Sequence, residues 1–422
     1  MSGQTFPYQT VRDVDVQNKQ ILVREGYDVP FNDDGTIADD LRIIVSLPTL
    51  KYLIKLGAKI VLIAHAGRPE GAPNPKLSFA PVAKDLSDKL AEIYKELNQP
   101  TQEVKFVDDC IGEKVRKATE NMKPGEVILL ENLRFHPEEE KNDADFAKTL
   151  ADDSHAEIFV QDAFSNLHRA HASMDAITHY LPSVAGLLVE KEYIEIKSAI
   201  EDPNRPLTAI MGGAKISDKI PLVKKFVGIA DNVVIGGAMA NNFLKEKGIN
   251  VASSLVEKDQ DGTIREILDA AHKKFGADFD KKFILPSDAA IAPHGDPTEE
   301  RVEIDLSDNP LYGEAKIFDL GTKTIDQICE TIRGSGTVIW NGDLGIDSTP
   351  QFSHASSRVA LELAKNPHVV SIIGGGDTAD FVRGWDSLKG GSFTHVSTGG
   401  GASLELMAGD TLPGIAALLP RR

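Results

Sequence analysis

Residues 207–219 read LTAIMGGAKISDK, and the rest of the chain is arranged on either side of them. Leu207 to Met211 is a short apolar run just after a proline, which suits a buried strand. Gly212 and Gly213 let the backbone turn tightly and approach a ligand. Ser217 is expected to cap a following helix, with Lys215 and Lys219 four residues apart on one side of its first turn. A strand, a glycine turn and a helix start with two cations make an anion-binding corner. An ordinary βα turn with two solvated lysines has the same pattern, and the spacing is not the GxxxxGK[ST] of a P-loop. The surrounding chain decides between them.

Downstream, the βα rhythm repeats. Asn232 to Ile235 leads into GGAMANNF, Phe283 to Leu285 into PSDAA, Thr337 to Trp340 into NGDLG, Val369 to Ile373 into GGGDTADF, and Thr394 to Ser397 into TGGGASLEL. Gly374 to Thr378 and Gly399 to Ser403 each place bare amides at a helix start, where phosphate oxygens are welcome. Asp377 sits inside one such turn. A carboxylate beside phosphates implies an intervening cation, here Mg²⁺, although capping by Asp377 and Thr378 also accounts for the pattern.

Upstream, the strand ends carry cations. Gln20 to Arg24 reads as a strand, and Pro48 is expected at N1 of a helix that runs to a glycine stop at Gly57. Ile60 to Ala64 ends in His65, Gly67 and Arg68; Val127 to Leu130 ends in ENLRFH with Arg134; Glu157 to Val160 ends in QDAFSNLHRAHAS with Arg169. Strands alternating with helices indicate a parallel sheet covered on both faces, whose ligands gather at the carboxyl edge. Arg24, His65, Arg68, Arg134 and Arg169 follow strands at that edge, and Arg42 can reach it. Any one of them fits an ion-paired surface residue. Together they describe a pocket for a small polyanion, since Arg forks match phosphate and carboxylate. His168 and His171 lack a third metal ligand at suitable spacing. Val189 to Asp202 has helical periodicity and ends at Pro203, which marks it as a connector between two halves.

The chain has 422 residues and a net charge of −18. That length favours two domains. That charge argues against nucleic-acid and anionic-membrane partners. Two distant cysteines, Cys110 and Cys329, make no disulfide framework and no metal-ligand spacing, and suit a reducing cytoplasm. The opening MSGQTFPYQTVRDVD lacks the features of a signal peptide, and no run of about 18 apolar residues suggests a membrane span.

In combination, GAKIVLIAHAGRPEG, VILLENLRFHPEEEKND, DAFSNLHRAHAS, MGGAKISDKI, VIWNGDLG, IIGGGDT and STGGGASLEL resemble the phosphoglycerate kinase family. The resemblance runs from about Gln20 to the C-terminus. It implies an α/β protein of two doubly wound, Rossmann-like parallel-sheet domains joined by a helix, hinge-bending and monomeric. Residues 1–188 are expected to bind 3-phosphoglycerate or 1,3-bisphosphoglycerate and 205–405 to bind Mg-ADP or Mg-ATP. Residues 189–204 form the joining helix, and 406–422 return to the first domain. The resemblance assigns Arg24, Asp28, His65, Arg68, Arg134 and Arg169 to substrate, and Arg42, Lys215, Lys219 and Gly400 to catalysis. Gly213, Lys219, Gly237, Asn341, Ser348, Gly375, Gly376, Asp377 and Thr378 go to the nucleotide, with Asp377 on Mg²⁺.

The chain also departs from the family pattern. Where the family has R-V-D-F-N-V-P, this sequence has Arg24, Glu25, Gly26, Tyr27, Asp28, Val29 and Pro30. The glycine expected after DAF is Ser165. Ala238, Asp343 and Ser348 stand where glycine, proline and the ribose-binding glutamate are usual, with Asp347 one residue before Ser348. A catalytically weakened anion- or nucleotide-binding paralogue is therefore the alternative to a kinase. A dinucleotide oxidoreductase lacks its GxGxxG after the first strand. The sequence leaves the choice between ATP and GTP open.

Overall fold

The computed structural model describes residues 5–308 and 311–421, which divide into two compact units: residues 195–410, and residues 5–194 with 411–421. The first-half unit holds six strands, β1 (Gln20–Arg24), β2 (Lys59–Ile63), β3 (Lys105–Val107), β4 (Val127–Leu130), β5 (Ile158–Gln161) and β6 (Ser183–Ala185). They form one parallel sheet in the order β3-β4-β2-β1-β5-β6. Every residue of β1 is buried, as expected for a central strand covered on both faces. Alternation divides its side chains: Ile21 and Val23 pack with the helices Leu41–Lys55 and Ala80–Glu96, and Leu22 packs with Val115 and Phe146 on the opposite face.

The other unit contains β7 (Leu207–Met211), β8 (Asn232–Ile235), β9 (Phe283–Ile284), β10 (Asp288–Ala292), β11 (Val302–Asp305), β12 (Lys316–Leu320), β13 (Thr337–Asn341), β14 (Val370–Gly374) and β15 (His395–Val396). A parallel sheet runs β15-β14-β13-β7-β8-β9, and β7, which opens the quoted stretch, lies between β13 and β8. A separate antiparallel sheet, β11-β10-β12, has no counterpart in the sequence reading. The helix Leu187–Glu201 joins the halves, and the division between units falls inside it, at 194/195. Within the first-half unit, the C-terminal residues lie beside the N-terminal ones, where Tyr8 bridges to Pro420 and Gln9 N donates to Leu419 O at 2.8 Å.

Two local expectations are corrected. Pro48 is not at N1 but inside the helix Leu41–Lys55. It stands on the exposed face with Ile44, which is 44% exposed, so the carbonyl it leaves without an amide partner can bond water. Ser217 caps nothing: residues 217–219 form a short 3₁₀ turn, the Ser217 amide donates to Glu257 Oε2 at 3.0 Å, and the helix begins at Ile220.

Several helices are capped by carboxylates from distant strands or turns. Asp162, just past β5, accepts from the amides of Leu188 and Val189 at 2.9 and 3.2 Å. A Cβ at Gly186 would lie 2.1 Å from Asp162 Oδ1, so the chain turning into that helix must be glycine. Asp288 accepts from Lys323 N, Thr324 N and the Thr324 hydroxyl at 2.8, 2.9 and 2.6 Å. Asp319 accepts from His354 N at 2.9 Å and pairs with Arg301 at 2.7 Å. Glu131 accepts from Phe79 N at 2.9 Å. Because Asp288 is 5% exposed, Asp288→Ala strands two amides and a hydroxyl and should cost about 2–3 kcal/mol. A urea titration should show a lower midpoint for the transition of the 195–410 unit; an unchanged midpoint refutes the capping role.

Candidate functional site

In the first-half unit, the turns after the strands bring charged groups together. Arg24, Arg134 and Arg169 act electrostatically on His65 and His171, and Asp28 acts on Arg24 and Arg134. Gly67 ties the group: its amide donates to Asp28 Oδ1 at 2.9 Å, and its carbonyl accepts from Arg134 Nη1 at 2.7 Å. Arg134 also pairs with Glu140 at 3.0 Å. Arg169 Nε points to His168 Nε2 at 3.3 Å. Burial lowers the His65 pKa well below the imidazole range, and the neighbouring Arg24 and Arg134 lower it further. His171 falls to about 4, by burial first and then by Arg134 and Arg24. Both rings are therefore neutral at pH 7, and the positive charge belongs to the guanidinium groups.

Arg24 is not part of an open rim. It is fully buried. Its Nε donates to Ser173 Oγ at 2.8 Å, its Nη1 to Glu25 O, and its Nη2 faces His65 Nδ1, with Glu139 at 4.0 Å. Burial brings its pKa down to about 10, partly offset by Glu139. It braces the end of β1 rather than presenting a charge. Arg42 and Arg68 differ from it. Arg42 stands half-buried in the first turn of its helix, Arg68 is exposed after β2, and neither has an ion-pair partner among the described residues. Among those residues, no ion pair or side-chain hydrogen bond links Arg42 to the other cations.

The second-half unit carries a cavity of about 1400 Å³, lined by Gly213, Lys215, Lys219, Gly237, Asn341, Ser348, Gly375, Gly376, Asp377, Thr378 and Gly400 among others. Each of these was expected from sequence. The turns after β7, β8, β13 and β14 supply much of that lining. Gly237 adopts φ 62°, and a Cβ there would lie 2.5 Å from Asp343 O, so the close approach of these turns requires glycine. The helices Gly376–Trp385 and Gly401–Ala408 begin at Gly375 and Gly400 without side-chain caps. Ala402 N donates to Gly399 O at 3.0 Å, and among the described residues no side chain caps the other first amides, which suits an anion.

Lys219 reaches inward and donates to Asn341 O at 3.2 Å and to Asn341 Oδ1. That contact fixes the amide of Asn341, which is fully buried, and leaves its Nδ2 without a partner. Burial lowers the Lys219 pKa to about 8 against the opposing pull of Asp343, Asp218 and Asp377. Lys215 is exposed on the cavity wall. Thr378 is 1% exposed, and its hydroxyl serves the protein, accepting from Gly342 N at 2.9 Å and donating to Asp343 Oδ1 at 3.0 Å. Asp377 is exposed in the first turn of its helix. A hard carboxylate oxygen beside free amides fits Mg²⁺ held against phosphates.

Sequence reading missed the apolar part of the cavity lining, which includes Leu244, Leu255, Pro286, Ile317 and Phe318. These residues are indistinguishable in the sequence from core positions. Asp347 lines the same cavity with both carboxyl oxygens buried and unpartnered, and burial raises its pKa to about 8, so it is largely protonated at neutral pH.

Two parallel α/β units, one with clustered guanidinium groups and one with a glycine-walled cavity and a half-buried lysine, define a nucleotide-using phosphotransferase. The phosphoglycerate kinase family model matches residues 11–410. A phosphoglycerate kinase of Dictyoglomus turgidum is 43% identical over 409 residues, covering 97% of each chain. One from Coprothermobacter proteolyticus is 42% identical over 413 residues, covering 97% of this chain and 98% of the relative. The structure of phosphoglycerate kinase from Coxiella burnetii superposes with a TM-score of 0.83 at 31% identity, covering 97% of this chain and 98% of that one. The chain belongs to the phosphoglycerate kinase family. Among the described residues, no helix is long and apolar enough to cross a membrane.

Because the Lys219 ammonium is lost as pH rises through about 8, ADP affinity should weaken severalfold between pH 7 and pH 9 in calorimetric titrations. Lys219→Arg, charged throughout that range, should flatten the profile. A wild-type profile as flat as that of the variant would remove Lys219 from phosphate binding.

Proposed function

We propose that the unit of residues 5–194 and 411–421 holds the phosphoglycerate, and that residues 195–410 hold the nucleotide with Mg²⁺, in a cytoplasmic monomer. The activity is that of the family, reversible phosphoryl transfer between 1,3-bisphosphoglycerate and ADP. The observation that carries the nucleotide assignment is a cavity where two uncapped helix starts, a half-buried lysine and an unpaired Asn341 amide converge. In the other unit, His65, Arg68, Arg134 and Arg169 receive the carboxylate and phosphate of the substrate, with Asp28 beside them. Arg24 supports them from beneath.

The chemistry needs no general base. The acyl carboxylate has a reference pKa near 4 and is ionised at neutral pH, so catalysis rests on position and charge. Arg42 and Lys215, neither of them tied to a carboxylate by an ion pair among the described residues, are assigned to the phosphoryl group in flight, together with the amide at Gly400. Lys219 and the amides of Gly375 and Gly376 hold the nucleotide phosphates. Asp377 is the ligand for Mg²⁺, which neutralises phosphate charge when bound.

Lys215 is exposed, so Lys215→Ala should fold normally. It should lower kcat about 10²–10³-fold, the usual cost of removing one preorganised donor to a developing charge. Near-normal turnover would exclude Lys215. A coupled assay with 3-phosphoglycerate and either Mg-ATP or Mg-GTP tests the activity itself and settles nucleotide preference. A weakened paralogue would instead show ligand-induced stabilisation with no release of ADP or GDP.

A further inference from the structure

Outside both sites, three potential metal ligands of different chemistry meet where two neighbouring strands end. Strands β3 and β4 are paired in parallel with Val107 opposite Leu130. Three residues past β3 stands Cys110; past β4, after the short turn Leu133–Phe135, stands His136. Asp109 lies between them. One ligand atom from each of Asp109, Cys110 and His136 falls within 4.8 Å of the others. The donors are partly preset: His136 Nε2 lies 2.9 Å from Asp109 Oδ1, and the Cys110 amide donates to that same oxygen at 2.8 Å. The Asp109 carbonyl accepts from Glu131 N at 3.3 Å, which ties the two turns together.

We propose that Asp109, Cys110 and His136 form a binding site for a borderline-soft divalent cation, zinc in chemical class, with a water in the fourth position. Thiolate, imidazole and carboxylate together select such an ion over Mg²⁺ or Ca²⁺, which prefer oxygen. Tetrahedral zinc with bonds of about 2.0–2.3 Å needs its ligand atoms about 3.5 Å apart, so a small inward rotation of these side chains suffices. Access is from the surface, because the side chains of His136 and Asp109 are 28% and 40% exposed while Cys110 is buried behind them. Binding replaces the Cys110 S–H bond by an S–metal bond and releases one proton to solvent. The site is distinct from the nucleotide cavity, whose polar lining offers no sulfur.

Cobalt(II) is the probe, added to the metal-stripped full-length protein without nucleotide. The expected result is a near-ultraviolet thiolate-to-cobalt band that saturates at one ion per chain, with visible bands of four-coordinate cobalt, both displaced by zinc. The band should persist in Cys329→Ser, since the only other cysteine lies elsewhere, and vanish in Cys110→Ser. His136→Asn should weaken cobalt binding about tenfold or more. Absence of a thiolate band in the wild type, or its survival in Cys110→Ser, overturns the proposal. Should Cys110→Ser fail to fold, unchanged cobalt affinity in both His136→Asn and Asp109→Asn overturns it as well.

Discussion

Every helix begins with amides that no carbonyl of its own can satisfy, and a parallel sheet gathers those beginnings along one edge. The structure of each unit follows from how these amides are met. Asp162, Asp288, Asp319 and Glu131 close some of them from distant positions in the chain. The helices at Gly376 and Gly401 receive no such side chain and open into the cavity. Capped starts hold the fold together, and uncapped ones are available for phosphate. One electrostatic requirement thus separates scaffold from site.

Two of the capping carboxyls, Asp162 and Asp319, are affected by the burial that their role demands. Desolvation raises Asp162 to about 7 and Asp319 to about 6, although each accepts helix amides that pull the other way. In these groups the folded pKa exceeds the unfolded one, so the folded state binds more protons between about pH 4 and those values. Stability contributed there declines as pH rises through that window. The cationic side shows the mirror image. His65 and His171 are held neutral by burial and by guanidinium neighbours, so patch charge is set by arginine and changes little near neutrality.

The alternation of apolar strands with helices was legible because both six-stranded sheets are parallel and buried, and such strands read as continuous apolar runs. Glycine turns and strand-end cations were legible because they sit immediately after those runs. The role of Arg24 was not, because its partners Ser173, His65 and Glu139 lie 41 or more residues away, and a strand-end arginine looks the same whether it is open or enclosed. Pro48 misled for a related reason: proline at N1 is the local rule, and only the exposed position of its turn lets it sit in the middle of a helix. The antiparallel sheet was hidden because β10 follows β9 after three residues, so the two read as one strand and its turn.

The departures from the family pattern around β1 also belong together physically. A Cβ placed on Gly26 would lie 3.3 Å from Ser165 Oγ, tighter than ordinary contact. The family's aspartate and glycine at these two positions are therefore exchanged here for glycine and serine, one side chain withdrawing where the other enters. Gly26→Asp alone crowds that hydroxyl and adds a carboxylate close in sequence to Glu25, which is fully buried with neither oxygen bonded and is already pushed well above its ordinary pKa by burial and by Asp162. Ser165→Gly alone leaves an unfilled space where the hydroxyl stood. The two positions should then be non-additive in urea-unfolding midpoints, as contacting residues are, with the double reversion milder than the sum of the single ones; strictly additive midpoints would uncouple them. Asp28, two residues on from Gly26, is anchored to the Gly67 amide at 2.9 Å.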